Sequence, residues 1–245
     1  MRADPAVQRR LLDLAEVDTD LTRIDHRRRT MPELAEITER EASERAKRDK
    51  VVSVRTTLSD LDRDASKQES EIEAVRARED RDRALLKNGN VGARQLADLE
   101  HELGTLSRRQ TALEDDLLEL MERREAVEQD VAHAQAELDA AETTLADVRK
   151  RRDEALADLE VAEARRTAER AGLVGVFPAD LLALYDRIRQ HKGTGAALLR
   201  ARKCGACRLE LDRHAIAAIR DTAAEDVVRC DECGAILVRT PESGL

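Results

Sequence analysis

The sequence reads Cys204-Gly205-Ala206-Cys207 and, a short distance later, Cys230-Asp231-Glu232-Cys233, and these two motifs contain all four cysteines of the chain. Two thiolates three positions apart can bind one metal ion from a tight turn, and two such turns supply four sulfurs in a tetrahedron. Zinc prefers this soft and closed set of ligands. The interval between the pairs is slightly longer than is usual for a zinc ribbon. The spacing predicts one structural zinc ion, held by Cys204, Cys207, Cys230 and Cys233.

Two disulfides, four unrelated buried thiols and a redox site are the alternatives to a metal site. Paired C-x-x-C motifs in a chain without an export signal are typical of metal binding rather than of disulfides. No thioredoxin-like βαβ pattern surrounds either pair, which argues against a redox site. Gly234 follows the second pair, where a positive φ lets backbone N–H groups face the sulfurs. The first pair has Arg208 at that position and Gly205 inside the turn, so we expect the two turns to differ.

The composition is typical of long helices rather than of a thick core. Of the 245 residues 39% are charged and 1% are aromatic, with four prolines and no tryptophan, as in coiled coils. The net charge of −9 argues against a protein that binds polyanions with its whole surface, and it is compatible with a local basic patch. The sequence has neither an apolar run of the ~20 residues that a membrane span needs nor a signal-peptide core. We therefore expect a cytoplasmic protein without a membrane partner.

The middle of the chain carries an apolar seam with alternating steps of three and four residues. Such a seam is typical of a coiled coil with a left-handed supercoil, in which one narrow face meets a partner helix. Most seam positions are apolar, and Gly172 and Gly175 follow the end of the run. The positions are Leu96, Leu99, Leu103, Leu106, Gln110, Leu113, Leu117, Leu120, Arg124, Val127, Val131, Ala134, Leu138, Ala141, Leu145, Val148, Arg152, Ala155, Leu159, Ala162 and Arg166.

A weaker seam lies upstream of this one. It starts with Leu11, Leu14, Leu21 and Ile24, and Pro32 then marks a break or the first turn of a new helix. The seam returns over residues 51–86, where its polar interruptions are Gln68, Glu79 and Asp82.

The two seams are separated by Lys87-Asn88-Gly89-Asn90-Val91-Gly92, whose glycines and asparagines indicate a turn. Helices joined by a short loop pack antiparallel, so we predict an intramolecular hairpin rather than a parallel dimer of continuous helices. The sequence does not decide whether two such hairpins associate as a homodimer.

A connector and a small ribbon follow the hairpin. Phe177-Pro178-Ala179-Asp180 opens a short helix that we expect to dock the ribbon, with Phe177 and Tyr185 in its core. In the ribbon, 209–211, 227–229 and 235–239 have the pattern of short strands. Asp212 is placed to cap a helix that carries Ile216 and Ile219.

The connector also contains the best basic patch of the chain. Between positions 187 and 203 the sequence has no acidic residue. This run is a candidate site for nucleic-acid phosphates, and the equally weighted alternative is a solvated surface or packing against the acidic hairpin. Its cations are Arg187, Arg189, Lys192, Arg200, Arg202 and Lys203.

These patterns predict a mainly α fold, a long antiparallel two-helix coiled-coil hairpin with a small C-terminal C4 zinc ribbon of α+β type. The hairpin takes residues 1–172 with its turn near 87–93. The connector helix and basic linker take 173–199, and the ribbon takes 200–245.

The whole chain is similar to the bacterial C4-type zinc-ribbon, coiled-coil family, and it resembles the actinobacterial branch. In that family, better-studied relatives act as adaptors or chaperones in flagellar and type III secretion systems, and one binds a sigma factor and messenger RNA. The resemblance implies a comparable role here. It is carried by the cysteine motifs, Gln95-Leu96-Ala97-Asp98-Leu99-Glu100-His101-Glu102, Leu113-Glu114-Asp115-Asp116 through Met121-Glu122, and Tyr185-Asp186-Arg187-Ile188-Arg189.

Two classes of function are consistent with the sequence. The favoured one is a non-enzymatic adaptor that binds protein partners along the coiled coil or the ribbon, since coiled-coil seams and their flanking charges encode protein pairing. The alternative is a regulator that binds RNA or DNA through the ribbon and the basic run, although the ribbon has no Phe, Tyr or Trp for base stacking. We expect no catalysis and no catalytic residue, because a closed four-sulfur zinc site leaves no position for water.

Overall fold

The structure, a computed structural model, describes residues 1–89 and 92–245. The predicted fold class is confirmed: long helices dominate and a small sheet lies near the C-terminus. In the described part of the chain, no helix has both the length and the apolar character needed to cross a membrane. The helices are α1 (Pro5–Arg29), α2 (Pro32–Lys87), α3 (Ala93–Val174), α4 (Ala179–Lys192) and α5 (Arg213–Asp221), and the strands are β1 (Ala196–Arg200), β2 (Lys203–Cys204), β3 (Val228–Arg229) and β4 (Ile236–Val238).

The chain divides into two compact units. The first contains Met1–Leu34 together with Arg151–Leu245, and the second contains Ala35–Lys150. The break predicted at Pro32 is confirmed, because α1 ends at Arg29 and α2 begins at Pro32. The predicted turn near 87–93 includes residues 90 and 91, which lie outside the described part of the chain.

The second unit is an antiparallel pair formed by α2 and α3. Ile37 packs with Leu145 and Val148, whereas Val51, further along α2, packs with Ala134 and Leu138. The partner numbers on α3 fall as those on α2 rise, which defines the antiparallel hairpin.

The apolar seam of α3 is placed as predicted. From Leu99 to Arg166 every seam position is buried or half-buried, whereas Leu96 is 41% exposed. Two of the polar side chains that interrupt the seam make cross-helix contacts. Gln68 donates from Nε2 to the carbonyl oxygen of Leu113 at 3.2 Å, and Arg124 pairs with Asp62. The flanking positions carry exposed ion pairs such as Lys47–Glu137, which contribute little individually.

Two acidic side chains of α2 are buried in the seam near the end of the helix. Glu79 is 2% exposed and Asp82 is 9% exposed. Glu79 accepts a hydrogen bond from Arg83 at 2.7 Å through Oε2. Within the described residues, Glu79 Oε1 and Asp82 Oδ2 have no hydrogen-bond partner. A buried polar atom without a partner costs about 1–3 kcal/mol, so this part of the seam is poorly stabilised.

Replacing Glu79 and Asp82 together by Leu is expected to stabilise the hairpin. When buried charged groups are replaced by apolar residues of similar size, the free energy of unfolding typically rises by between about zero and 4 kcal/mol. The midpoint of thermal unfolding, followed by circular dichroism at 222 nm, should rise. The matched control changes the exposed residues Glu73 and Asp80 to Leu, with the same loss of charge. An equal rise in both variants would show that burial in the seam is not the cause.

The first unit has a core between α1, α4 and the sheet. Leu11 and Leu14 of α1 pack with Leu181 and Tyr185 of α4 and with Ile236 of β4. The expectation that the connector helix docks the ribbon is therefore met within this unit. Phe177 and Tyr185, 8% and 0% exposed, belong to this core as predicted.

The sheet has the order β2-β1-β4-β3, in which β1 runs parallel to β4 and the other pairs are antiparallel. The linker predicted up to residue 199 is wrong in its last part, because Ala196–Arg200 form strand β1. The expected strand at 209–211 is reduced to one bridge between Lys203 and Glu210. The capping role of Asp212 is confirmed, since its carboxylate accepts a hydrogen bond from the N–H of Ala215 at 2.7 Å.

Candidate metal centre

The four cysteine sulfurs converge on one point. All four lie within 4.8 Å of one another, with 3.8 Å between Cys204 Sγ and Cys233 Sγ and 3.9 Å between Cys207 Sγ and Cys230 Sγ. A tetrahedral zinc ion with Zn–S bonds of about 2.3 Å holds its sulfurs about 3.8 Å apart. The S–S bond of a disulfide measures about 2.05 Å, so these distances exclude a disulfide within either of the two pairs. The donor set fits one structural zinc ion.

The two cysteine turns have the same backbone conformation. The N–H of Arg208 donates to the carbonyl oxygen of Cys204, and the N–H of Gly234 donates to that of Cys230, both at 2.8 Å. Arg208 has a φ of 64° and Gly234 a φ of 77°. The expectation that the turns differ is wrong, because Arg208 adopts the left-handed conformation that glycine adopts in the second turn. We name these turns the first and second zinc knuckles, Cys204–Arg208 and Cys230–Gly234.

Gly205 is required by the neighbouring strand. Its N–H donates to the carbonyl oxygen of Leu198 in β1 at 2.9 Å. A Cβ atom on Gly205 would lie 2.8 Å from the same oxygen, which is closer than such atoms can approach. The glycine therefore allows the first knuckle to pack directly on the backbone of β1.

The change Gly205→Ala is expected to weaken zinc binding because the knuckle must move away from β1. The rate at which zinc passes to a colorimetric chelator should rise at least severalfold. Arg208→Gly is the control, since it changes the same knuckle and removes a strained left-handed non-glycine residue, which costs about 1 kcal/mol or more. Zinc release should be no faster in this control than in the parent. If Gly205→Ala releases zinc at the parental rate, the close approach to Leu198 is not limiting.

The environment of the thiols makes zinc binding sensitive to protons. Burial raises the pKa of Cys204 to about 12, and burial also raises the pKa of Cys230. The pKa of Cys207 is lowered, mainly by a hydrogen bond from the backbone N–H of Leu209. Zinc binds thiolates, so loading the site releases protons and acidification favours the metal-free form. When bound, zinc supplies folding free energy, because the unfolded chain has no preformed site. Four sulfurs would complete its coordination and leave no open position.

The structure divides the predicted basic patch. Arg189 Nε lies 3.3 Å from Asp18 Oδ2, and Arg200 Nε lies 3.2 Å from Glu242 Oε2. The lack of acidic residues between positions 187 and 203 therefore does not leave these two cations unpaired, because acids distant in sequence reach them. Arg202 donates to the carbonyl oxygen of Gly244 at 3.2 Å.

The remaining cations of the run, Arg187, Lys192 and Lys203, are exposed, and in the described part of the chain none of them forms an ion pair. Arg187 and Lys192 line one pocket beside the second zinc knuckle, and this pocket does not include Lys203. The structure thus does not gather all six predicted residues at one surface.

A buried polar network in the first unit was missed by the sequence analysis. Asp18 is 2% exposed and accepts from Arg170 Nε at Oδ1 and from the hydroxyl of Tyr185 at Oδ2, both at 2.8 Å. Arg170 also donates to Asp186 at 2.7 Å, and Arg189 approaches Asp18 as described above. Two carboxylates and two guanidinium groups thus link α1, α3 and α4 without net charge.

A signal for this network was present in the sequence. Asp18 stands at a seam position of α1, four residues after Leu14 and three before Leu21, where an apolar residue is expected. Burial, followed by the hydrogen bond to Asp18, raises the pKa of Tyr185 well above its ordinary value, so the hydroxyl stays a donor.

Known proteins match this chain over most of its length. The family model of the CT398-like coiled coil hairpin domain matches residues 14–193, and that of the C4-type zinc ribbon domain matches residues 203–237. An uncharacterized protein of Mycobacterium tuberculosis (strain CDC 1551 / Oshkosh) is 44% identical over 239 residues, which is 98% of each chain. One of Mycobacterium leprae (strain TN) is 35% identical over 229 residues, 91% of this chain and 96% of the relative.

Solved structures also match. A protein from Mycobacterium smegmatis has a TM-score of 0.89 at 43% identity and covers 98% of this chain and 100% of its own. CT398 from Chlamydia trachomatis has a TM-score of 0.67 at 17% identity, over 95% of this chain and 97% of its own, which shows a shared fold.

Proposed function

Since this chain belongs to the family of CT398-like coiled-coil hairpin proteins with a C4-type zinc ribbon, we propose that it is a non-enzymatic adaptor for protein partners. The observation that supports this most is an exposed apolar pair on α3. Leu118 is 63% exposed and Met121 is 42% exposed. Residues three apart on a helix lie on the same face, so the two side chains form one patch.

This patch is separate from the seam that α3 uses for α2. The seam positions Leu117 and Leu120 each precede one residue of the patch in sequence, and both are half-buried. Leu118 and Met121 remain exposed among charged residues. Methionine adapts its shape to different partners, which suits an adaptor surface. The proposal of a non-enzymatic role rests on the zinc site, because its four sulfurs leave no position for a reacting water.

A photo-cross-linker tests this function. A benzophenone amino acid at position 118 or 121 of the full chain, irradiated in native lysate, is expected to capture protein that survives nuclease treatment. The same amino acid at the exposed position Arg123, on another face of α3, is the control and should capture much less. Capture that disappears with nuclease, or is equal at position 123, would contradict protein binding through this patch.

Nucleic-acid binding is the second candidate, and the exposure of Arg187, Lys192 and Lys203 favours it. Phosphate contacts position a protein without reading sequence, and they weaken steeply as salt rises. Replacing Arg200, Arg202 and Lys203 together by Ala should flatten the salt dependence of RNA or DNA binding while zinc content stays unchanged. If this variant and the parent bind equally at every salt concentration, this part of the patch plays no role.

A further inference from the structure

A basic pocket of about 390 Å³ lies between the end of α4 and the second zinc knuckle. We propose that it binds an acidic peptide segment of a protein partner, with an apolar side chain on its floor and carboxylates at its cationic rim. This inference rests on the adaptor function, for which it names the partner chemistry. The pocket is lined by Arg187, Ile188, His191, Lys192, Arg229, Glu232, Cys233 and Gly234.

The rim provides unpaired positive charge. Arg187, Lys192 and Arg229 are exposed, and among residues 1–89 and 92–245 none of the three forms an ion pair. Arg229 donates from Nε to the carbonyl oxygen of Gly234 at 3.1 Å, which holds its guanidinium over the knuckle. Glu232 is the one acidic side chain among the residues that line the pocket. A carboxylate-bearing ligand therefore meets a complementary surface.

The apolar part of the floor is Ile188. This side chain is 6% exposed and belongs to the core of the first unit, while Gly234 and the candidate zinc ligand Cys233 are half-buried beside it. Apolar pockets with a few convergent polar groups are typical ligand sites, and this volume is within their usual range of about 300–1,000 Å³. The combination fits an apolar side chain flanked by Asp or Glu.

The same observations favour a peptide over a nucleic acid. No Phe, Tyr or Trp side chain lines the pocket, and His191 is its single aromatic ring, whereas proteins that bind single strands usually stack successive bases on several aromatic side chains. Affinity for a nucleic-acid backbone grows with the number of phosphates that Lys and Arg neutralise. Here Asp18 and Glu242 neutralise Arg189 and Arg200, which lowers that number.

A peptide selection tests the proposal. Random 12-residue peptides displayed on phage are selected on the zinc-loaded full chain, and the enriched sequence is then labelled with fluorescein for anisotropy titrations. We expect enrichment of Asp and Glu around one apolar residue. Exchanging the acids for Asn and Gln, or the apolar residue for Ser, should each weaken binding at least tenfold. A neutral or basic enriched sequence, or none, would overturn the proposal.

Two variants with equal loss of charge locate the binding site. Arg187→Gln with Lys192→Gln should weaken binding of the labelled peptide at least tenfold and leaves the hydrogen bond of Arg229 in the knuckle intact. Arg200→Gln with Lys203→Gln, outside the pocket, should leave the affinity within twofold. Equal losses in the two variants, or displacement of the peptide by a 12-nucleotide oligo-U RNA at equal concentration, would overturn the pocket assignment.

The cross-linking experiment separates this inference from the adaptor function. If positions 118 and 121 capture protein while the peptide shows no preference for the pocket, only the pocket assignment is wrong. If no nuclease-resistant protein is captured there, the adaptor function that was proposed on this patch is contradicted, whatever the peptide titrations show.

Discussion

Replacing Cys230 by Ser should unfold the zinc ribbon while most of the helical signal persists. Structural zinc sites supply apparent free energies of about 10–16 kcal/mol in zinc-finger peptides. Removing one of the four ligands opens the closed coordination shell and is expected to weaken this contribution. The hairpin of residues 35–150 has its own seam and does not depend on the metal. Elemental analysis should give about one zinc per parent chain and little in the variant, with rapid tryptic cleavage in the ribbon at sites such as Arg213 and Arg220.

Chelation of the parent is the control for this variant. Metal removal should reproduce the tryptic pattern of Cys230→Ser, and added zinc should restore protection to the parent but not to the variant. Iron in the parent would refute the assignment, and so would a variant that keeps both zinc and protease resistance.

Replacing Asp18 by Ala should destabilise the first unit by about 3–5 kcal/mol, the range for breaking a buried ion pair from one side. Arg170, Arg189 and the hydroxyl of Tyr185 would all lose this carboxylate. Tyr185 is the only tyrosine and the chain has no tryptophan, so intrinsic fluorescence reports on this network alone. Urea unfolding followed by that fluorescence should show the shift in midpoint.

A neighbouring aspartate provides the control for the Asp18 variant. Asp13→Ala lies on the same helix at an exposed position and should change stability by no more than about 0.5 kcal/mol. Asp18→Asn keeps the shape of the side chain and an acceptor for Tyr185 but loses the charge. The loss of stability should therefore be larger than in Asp13→Ala and smaller than in Asp18→Ala. Equal effects of Asp13→Ala and Asp18→Ala would show that the buried network is not what stabilises this unit.

The hairpin and the metal site were predictable because their signals are local and repeated. Each apolar seam position between Leu99 and Leu159 supports the same periodicity, and one polar interruption such as Gln110 does not change it. The two C-x-x-C motifs are also local signals, since each positions two metal ligands within one turn. A single tetrahedral site uses all four ligands. The connector helix and the core positions of Phe177 and Tyr185 followed from proline placement and apolar spacing.

The features that the sequence left undetermined depend on partners far along the chain. Ala196–Arg200 consist mostly of good helix formers, and they are a strand because β4 and β2 supply hydrogen bonds on both sides. Arg208 adopts a left-handed conformation because closing the four-sulfur site requires the same turn twice. Arg189 loses its free charge to Asp18, an acid of another helix. Periodicity and motif spacing report which residues share a face, whereas charge pairing and strand pairing are decided only when distant segments meet.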